Sequence, residues 1–128
     1  MTLWHQTCDH GRAGIGRSGW IYPGKVMPWL SRGLVWLSSD PDAPREANGL
    51  TSIILACDRT QYVYAVERHQ AIRWLDSPDR TPAAIAALEG PEQDPALWWV
   101  SAIPVRGRLV RVRGLYPTNA TARTQETP

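Results

Sequence analysis

The chain has 128 residues, of which 43% are hydrophobic and 20% are charged, and its formal net charge is +2. This length suits one domain with a single core, and the small net charge excludes a polycation. No apolar run approaches the ~20 residues of a membrane-spanning helix, and no signal peptide is apparent, so a cytoplasmic protein is expected. The two cysteines, Cys8 and Cys57, show no metal-ligand spacing, so no metal site is expected.

The first predicted element is a strand over residues 2–8. Because strand side chains alternate, His5 and Thr7 are predicted to point to one face of the sheet and Trp4 and Gln6 to the other. A short helix is predicted to follow from Asp9 to about Ser18, ending at Gly19. Its three internal glycines make it weak.

The rest of the chain predicts mainly strands. A helix over 81–88 is favoured because Thr81 can cap it, Pro82 suits the first turn and Gly90 follows its end. Residues 68–77 have near-helical apolar spacing and stay ambiguous. The sequence predicts one α+β domain over residues 1–117, followed by a disordered tail over 118–128. The predicted strands lie at 34–39, 53–57 and 61–67, with a possible hairpin turn at 58–60, and at 97–103 and 108–116.

A family resemblance rests on three segments in the first third of the chain. Leu3-Trp4-His5-Gln6-Thr7 is followed by Gly19-Trp20-Ile21-Tyr22-Pro23, and then by Leu34-Val35-Trp36-Leu37-Ser38-Ser39. This order resembles the opening of the ADP-ribosyltransferase superfamily. The resemblance implies a small split or mixed β-sheet with a few short helices. It also implies an NAD site in which the histidine and an aromatic residue hold the nicotinamide and ribose.

The resemblance assigns candidate NAD-binding residues. His5 has a simpler interpretation, as a buried and hydrogen-bonded strand histidine. Trp36 stands where the family usually has tyrosine, and it could stack on nicotinamide but lacks a hydroxyl. We expect His5, Thr7, Trp36 and Ser38 to line one cavity. Arg12 and Arg32 are expected to contact the phosphates of NAD.

Transferases of this family use a late glutamate to stabilise the positive charge that develops on the ribose. The candidates are Glu92 and Asp94, just before the strand that starts near Leu97, and Glu67 at the end of an earlier strand. None matches the family pattern cleanly, and surface charges are the alternative interpretation. We expect one of the three to reach the His5 cavity if the protein is an active transferase.

Two further motifs bear on function. Gly14-Ile15-Gly16-Arg17-Ser18-Gly19 has the form G-x-G-x-x-G, but it does not open a helix directly after a strand, which argues against a dinucleotide-binding Rossmann site. The segment Val105–Arg113 carries four arginines. In a regular strand Arg111 and Arg113 share a face, which predicts either a charged strand edge or a phosphate-binding patch.

Three functions follow as hypotheses. The first is an NAD-dependent ADP-ribosyltransferase acting on a protein or nucleic-acid acceptor. The second is a non-catalytic domain of the same kind that serves interaction, such as a bacteriophage accessory protein that binds a host factor. The third is a nucleic-acid-binding module built on the Arg106–Arg113 strand.

Overall fold

A computed structural model of the chain describes residues 1–50 and 59–112. The described part has a mixed α/β fold with a seven-stranded antiparallel sheet and two short α-helices, α1 (Asp9–Ile15) and α2 (Pro82–Leu88). Three short 3-10 turns span Gly16–Ser18, Trp74–Asp76 and Pro95–Leu97. The strands are β1 (Leu3–Thr7), β2 (Trp20–Ile21), β3 (Val35–Ser38), β4 (Tyr62–Arg68), β5 (Ile72–Arg73), β6 (Trp98–Ser101) and β7 (Val105–Val112).

The sheet has little backbone pairing between β1 and β3. Its strand order is β2-β7-β4-β1-β3-β6-β5. β1 pairs with β4 along its whole length, from Leu3 to Thr7, but it pairs with β3 at a single position, Trp4 opposite Ser38. Backbone pairing between neighbouring strands is therefore shortest at this boundary, and backbone groups there need other partners.

Each face of the sheet carries its own core. One face, which we name the α1 face, packs against Ile15 of α1 and is built from Leu3, Ile21, Val35, Leu37, Tyr62, Tyr64, Val66 and Val105. The opposite face, the tryptophan face, packs against Ala84 of α2 and is built from Leu30, Leu34, Trp74, Trp98 and Val100, with Trp36 beside them. The alternation of side chains along each strand distributes residues between these two cores.

The strongest local signals are confirmed. Helix α2 begins where its capping residue predicts, because Thr81 Oγ1 accepts a hydrogen bond from the Ala84 backbone N–H and Pro82 occupies the first turn. The first helix is shorter than predicted and ends at Ile15. The chain then makes a 3-10 turn up to Gly19, which adopts a left-handed conformation with φ of 78° and ends it as predicted.

Other predictions needed correction. The ambiguous segment 68–77 forms the short strand β5 and a 3-10 turn at Trp74–Asp76. β7 begins at Val105, three residues earlier than predicted, because its start pairs with β2. The predicted strand at 53–57, residue Asp58 of the hairpin turn, the end of the last strand at 113–116 and the tail at 118–128 lie outside the described residues. No helix in the described ranges is long and apolar enough to cross a membrane.

Candidate functional site

His5 stands at the boundary between β1 and β3. Its Nδ1 lies 2.9 Å from the backbone carbonyl oxygen of Trp36, so the imidazole joins β1 to β3 where backbone pairing ends. A carbonyl oxygen can only accept, so Nδ1 carries the proton and donates it. Nε2 then bears a lone pair, and no residue in the ranges 1–50 and 59–112 hydrogen-bonds to it.

Burial lowers the pKa of His5 below its usual 6.5, and the hydrogen bond to Trp36 opposes that effect only in part. The imidazole is therefore neutral at pH 7. A neutral imidazole with Nδ1 committed as a donor offers Nε2 as an acceptor for a hydroxyl or N–H group.

The lowered pKa of His5 predicts a pH-dependent stability. The unfolded chain binds a proton at His5 below about pH 6.5, while the folded state resists protonation until a lower pH. Unfolding free energy is therefore expected to fall as pH drops from 6.5 towards the lower folded-state pKa. Urea unfolding of the wild type and of His5→Asn at about pH 7, 6 and 5 measures this. The variant is expected to lose less stability on acidification, and equal losses would contradict a neutral, partly buried imidazole.

Helix α1 packs directly over the end of β1. A Cβ atom on Gly11 would overlap Thr7 Oγ1, so this helix position requires glycine. Thr7 is buried beneath the helix as a result. The close approach brings the first turns of α1, with Asp9 and Arg12, over the same face as His5.

The α1 residues meet two tyrosines of β4. The Arg12 guanidinium lies 4.8 Å from the centre of the Tyr62 ring, and Tyr62 Oη donates a hydrogen bond to Asp9. That hydrogen bond is the main cause that raises the pKa of Tyr62, whereas burial raises the pKa of Tyr64. His5 pairs with Tyr64 in the sheet. The α1 face therefore carries the neutral imidazole of His5 and the exposed guanidinium of Arg12 at neighbouring positions.

Asp9, Tyr62 and Tyr64 were not among the predicted site residues. Alternation along β4 places both tyrosines on one face, which the sequence does indicate. That this face meets His5 depends on the register Tyr64 opposite His5 and Tyr62 opposite Thr7. Nothing in the local sequence specifies that register.

The predicted four-residue cavity is wrong. Trp4 pairs with Ser38, so Trp36 and Ser38 lie on the tryptophan face while His5 and Thr7 lie on the α1 face. The Trp36 ring centre lies 5.0 Å from that of Trp74, within the aromatic core. His5 reaches the carbonyl of Trp36 and not its ring.

Two further residues that were predicted to bind NAD form hydrogen bonds within the protein instead. Ser38 is buried and its hydroxyl contacts Asn48 and the carbonyl of Asp40. Arg32 binds buried Asp79 with two nitrogens, Nε and Nη2, at 3.1 and 2.9 Å. Of the six predicted NAD residues, the structure brings together His5, Thr7 and Arg12, and it separates Arg32, Trp36 and Ser38 from them.

The three candidate acids lie at the surface. Glu67 is 68% exposed and pairs loosely with Arg108 at 3.5 Å. Glu92 and Asp94 are exposed in the loop ahead of β6. None of the three is part of the α1-face group formed by His5, Thr7 and Arg12.

The arginine-rich strand departs from the regular pattern. The pairing of β4 with β7 shifts register between Val63 and Tyr64, which pair with Arg111 and Leu109. This bulge turns Arg111 to the tryptophan face, the same side as Arg106 and Arg108. Arg111 binds Asp42 at 2.6 Å. Arg113 lies outside the described residues.

Metal and thiol chemistry have little support in the described part of the chain. No group of three or more His, Cys, Asp or Glu side chains within residues 1–50 and 59–112 could hold a metal ion. Cys8 is buried, and its Sγ lies 3.8 Å from His10 Nδ1. Cys57 lies outside the described residues.

Comparison of the chain with protein-family models, with curated proteins and with solved structures finds no match.

Proposed function

We propose that this chain is an ADP-ribosyltransferase-like binding domain that holds NAD or a related ADP-ribose-bearing ligand on the α1 face, between His5 and Arg12. The observation that carries the proposal is the neutral His5 at the β1–β3 boundary, with Nε2 left as an acceptor. A mixed α/β domain with short helices is compatible with the fold that the family resemblance implies, although its seven strands form one sheet.

The chemistry of the two side chains suits this ligand class. The Nε2 lone pair can accept a hydrogen bond from a ribose hydroxyl. The exposed guanidinium of Arg12 lies over Tyr62, about two residues or ~7 Å along β4 from the position of His5. A guanidinium there can donate charge-assisted hydrogen bonds to a diphosphate.

We propose binding without ADP-ribose transfer as the activity. Transfer needs a carboxylate close to the ribose carbon on which positive charge develops. Glu67, Glu92 and Asp94 are all exposed, and Glu67 is directed towards Arg108. A domain that recognises the nucleotide and presents a second surface to a partner is the function that fits this geometry.

Thermal shift with NAD and with ADP-ribose tests the proposal. Ligand at 100 times its dissociation constant is expected to add roughly 2.7 kcal/mol of stability, which raises the melting temperature by several degrees. His5→Asn keeps a donor for the Trp36 carbonyl but has no acceptor at the Nε2 position, so we expect NAD affinity to fall about 3- to 10-fold. Arg12→Gln is expected to weaken it about 10- to 100-fold.

The matched control is Arg73→Gln on β5, at the far edge of the sheet, where the Arg73 guanidinium forms an exposed ion pair with Asp76. This variant is expected to bind NAD as the wild type does. No thermal shift with either ligand, or equal losses in all three variants, would overturn the proposed site. Labelling of an added protein or oligonucleotide by ADP-ribose would overturn the proposal of binding without transfer.

A further inference from the structure

A second surface lies on the opposite side of the sheet, where β2 meets β7. Trp20 pairs with Arg106 in the sheet, and the Arg106 guanidinium lies 5.9 Å from the centre of the Trp20 ring. Ile21 and Val105, the other pair, belong to the α1 face, so Trp20 and Arg106 lie on the tryptophan side. Arg108 shares that side because it pairs with Ala65, which in turn pairs with Trp4.

Two glycines allow β2 to lie this close to β7. A Cβ atom on Gly19 would overlap the carbonyl oxygen of Gly107, and Gly19 has a positive φ of 78°. The Gly107 N–H donates to the Gly19 carbonyl at 2.8 Å. The contact places Trp20 beside Arg106, and Arg106 Nε donates a hydrogen bond to the carbonyl of Ser18 at 3.1 Å.

This pairing joins two parts of the sequence that contain no acidic residue. Residues 10–39 carry four basic residues and no Asp or Glu, and residues 95–125 carry five basic residues and no Asp or Glu. The modest net charge of +2 therefore conceals a strongly uneven distribution. At the place where β2 meets β7, the described basic side chains are Arg106 and Arg108, and Glu67 lies against Arg108.

An aromatic ring accompanies the positive charge. Trp20 is 41% exposed, which leaves ring surface open to solvent beside the arginines. Within the described ranges Arg106 has no carboxylate partner. The pair between Arg108 and Glu67 is exposed and 3.5 Å long, so it is weak and can give way to a phosphate.

We propose that this β2–β7 surface, formed by Trp20, Arg106 and Arg108, binds single-stranded nucleic acid. An exposed ring beside arginines suits unpaired bases, which stack on the ring while phosphates contact the guanidinium groups. A duplex hides its base faces in the stack and offers this ring nothing to stack on. The surface lies on the opposite side of the sheet from His5, so this inference does not rest on the proposed nucleotide site.

Fluorescence anisotropy with labelled oligonucleotides tests the inference. The probes are a dT oligonucleotide, a U oligonucleotide of the same length (about 15 nucleotides) and a mixed-sequence duplex of that length, at salt from about 50 to 300 mM. We expect both single strands to bind at least five-fold more tightly than the duplex. Trp20→Leu is expected to weaken single-strand binding five-fold or more, as loss of one stacked base predicts.

Replacing both Arg106 and Arg108 by Gln is expected to weaken single-strand binding and to lower the slope of log affinity against log salt by about 1.4, or ~0.7 for each phosphate that the variant no longer neutralises. Arg73→Gln on β5 is the matched control and should leave affinity and slope unchanged. His5→Asn should also leave them unchanged, which separates this surface from the NAD site.

Three outcomes would overturn the inference. The first is no binding of either single strand at the lowest salt, which would favour a protein as the partner of this surface. The second is a preference for duplex, and the third is an equal loss of affinity in the Arg73→Gln control. Circular dichroism of each variant confirms that it is folded before it is compared.

Discussion

Replacing Trp74 by alanine is expected to lower the free energy of unfolding by about 3 to 5 kcal/mol, the usual cost of removing a fully buried tryptophan. Trp74 has no solvent exposure and packs against Trp36 with ring centres 5.0 Å apart. Its indole N–H donates to Glu89 at 2.7 Å, and Glu89 also binds Arg80. Urea unfolding followed by circular dichroism measures the change.

Two other variants define what the Trp74 result means. Trp74→Phe keeps a ring but removes the N–H donor, and it is expected to lose about 1 to 2 kcal/mol. Trp20→Ala removes an exposed tryptophan and should cost less than about 1 kcal/mol. Similar losses at positions 74 and 20 would contradict a tryptophan core centred on Trp74.

Replacing Gly19 by alanine is expected to destabilise the protein by about 2 to 5 kcal/mol. The left-handed backbone at Gly19, with φ of 78°, costs any other residue roughly 1 to 2 kcal/mol. The added methyl group would also overlap the Gly107 carbonyl and force β2 away from β7, a further cost of roughly 1 to 3 kcal/mol. Thermal and urea unfolding measure the loss.

Gly14 provides the matched control for Gly19. It lies within helix α1, and a Cβ atom there would meet no atom within 4 Å. Gly14→Ala is expected to be neutral or to stabilise by about 0.5 to 1 kcal/mol, because alanine favours the helix. Equal effects of the two substitutions would show that β2 does not lie against β7 as described.

Local signals in the sequence were enough to predict much of the secondary structure. Thr81 and Pro82 specify the start of α2 through capping and a fixed φ, which are properties of neighbouring residues. β2 was missed because it has only two residues and exists through its pairing with β7, about 85 residues later. A strand of that kind has no local pattern to detect.

In the candidate site, too, features set by neighbouring residues were predicted, and features set by strand pairing were not. Alternation assigned His5 and Thr7 to one face of β1, and the structure agrees. The relative placement of Trp36 depended on the single pair between Trp4 and Ser38, and a shift of one residue would have moved Trp36 to the other face. The bulge that turns Arg111 is likewise a product of strand pairing, which the sequence of β7 does not reveal.

The central claim is that His5 and Arg12 form a nucleotide site on the α1 face. Backbone amide chemical-shift mapping by ¹⁵N NMR, with NAD titrated into the uniformly labelled full chain, tests it most directly. We expect shifts concentrated at residues 5–12 and at Tyr62 and Tyr64, and an about 3- to 10-fold higher NAD concentration at the titration midpoint in His5→Asn. Shifts centred on β5 and β6, or no shifts at millimolar NAD, would contradict the claim.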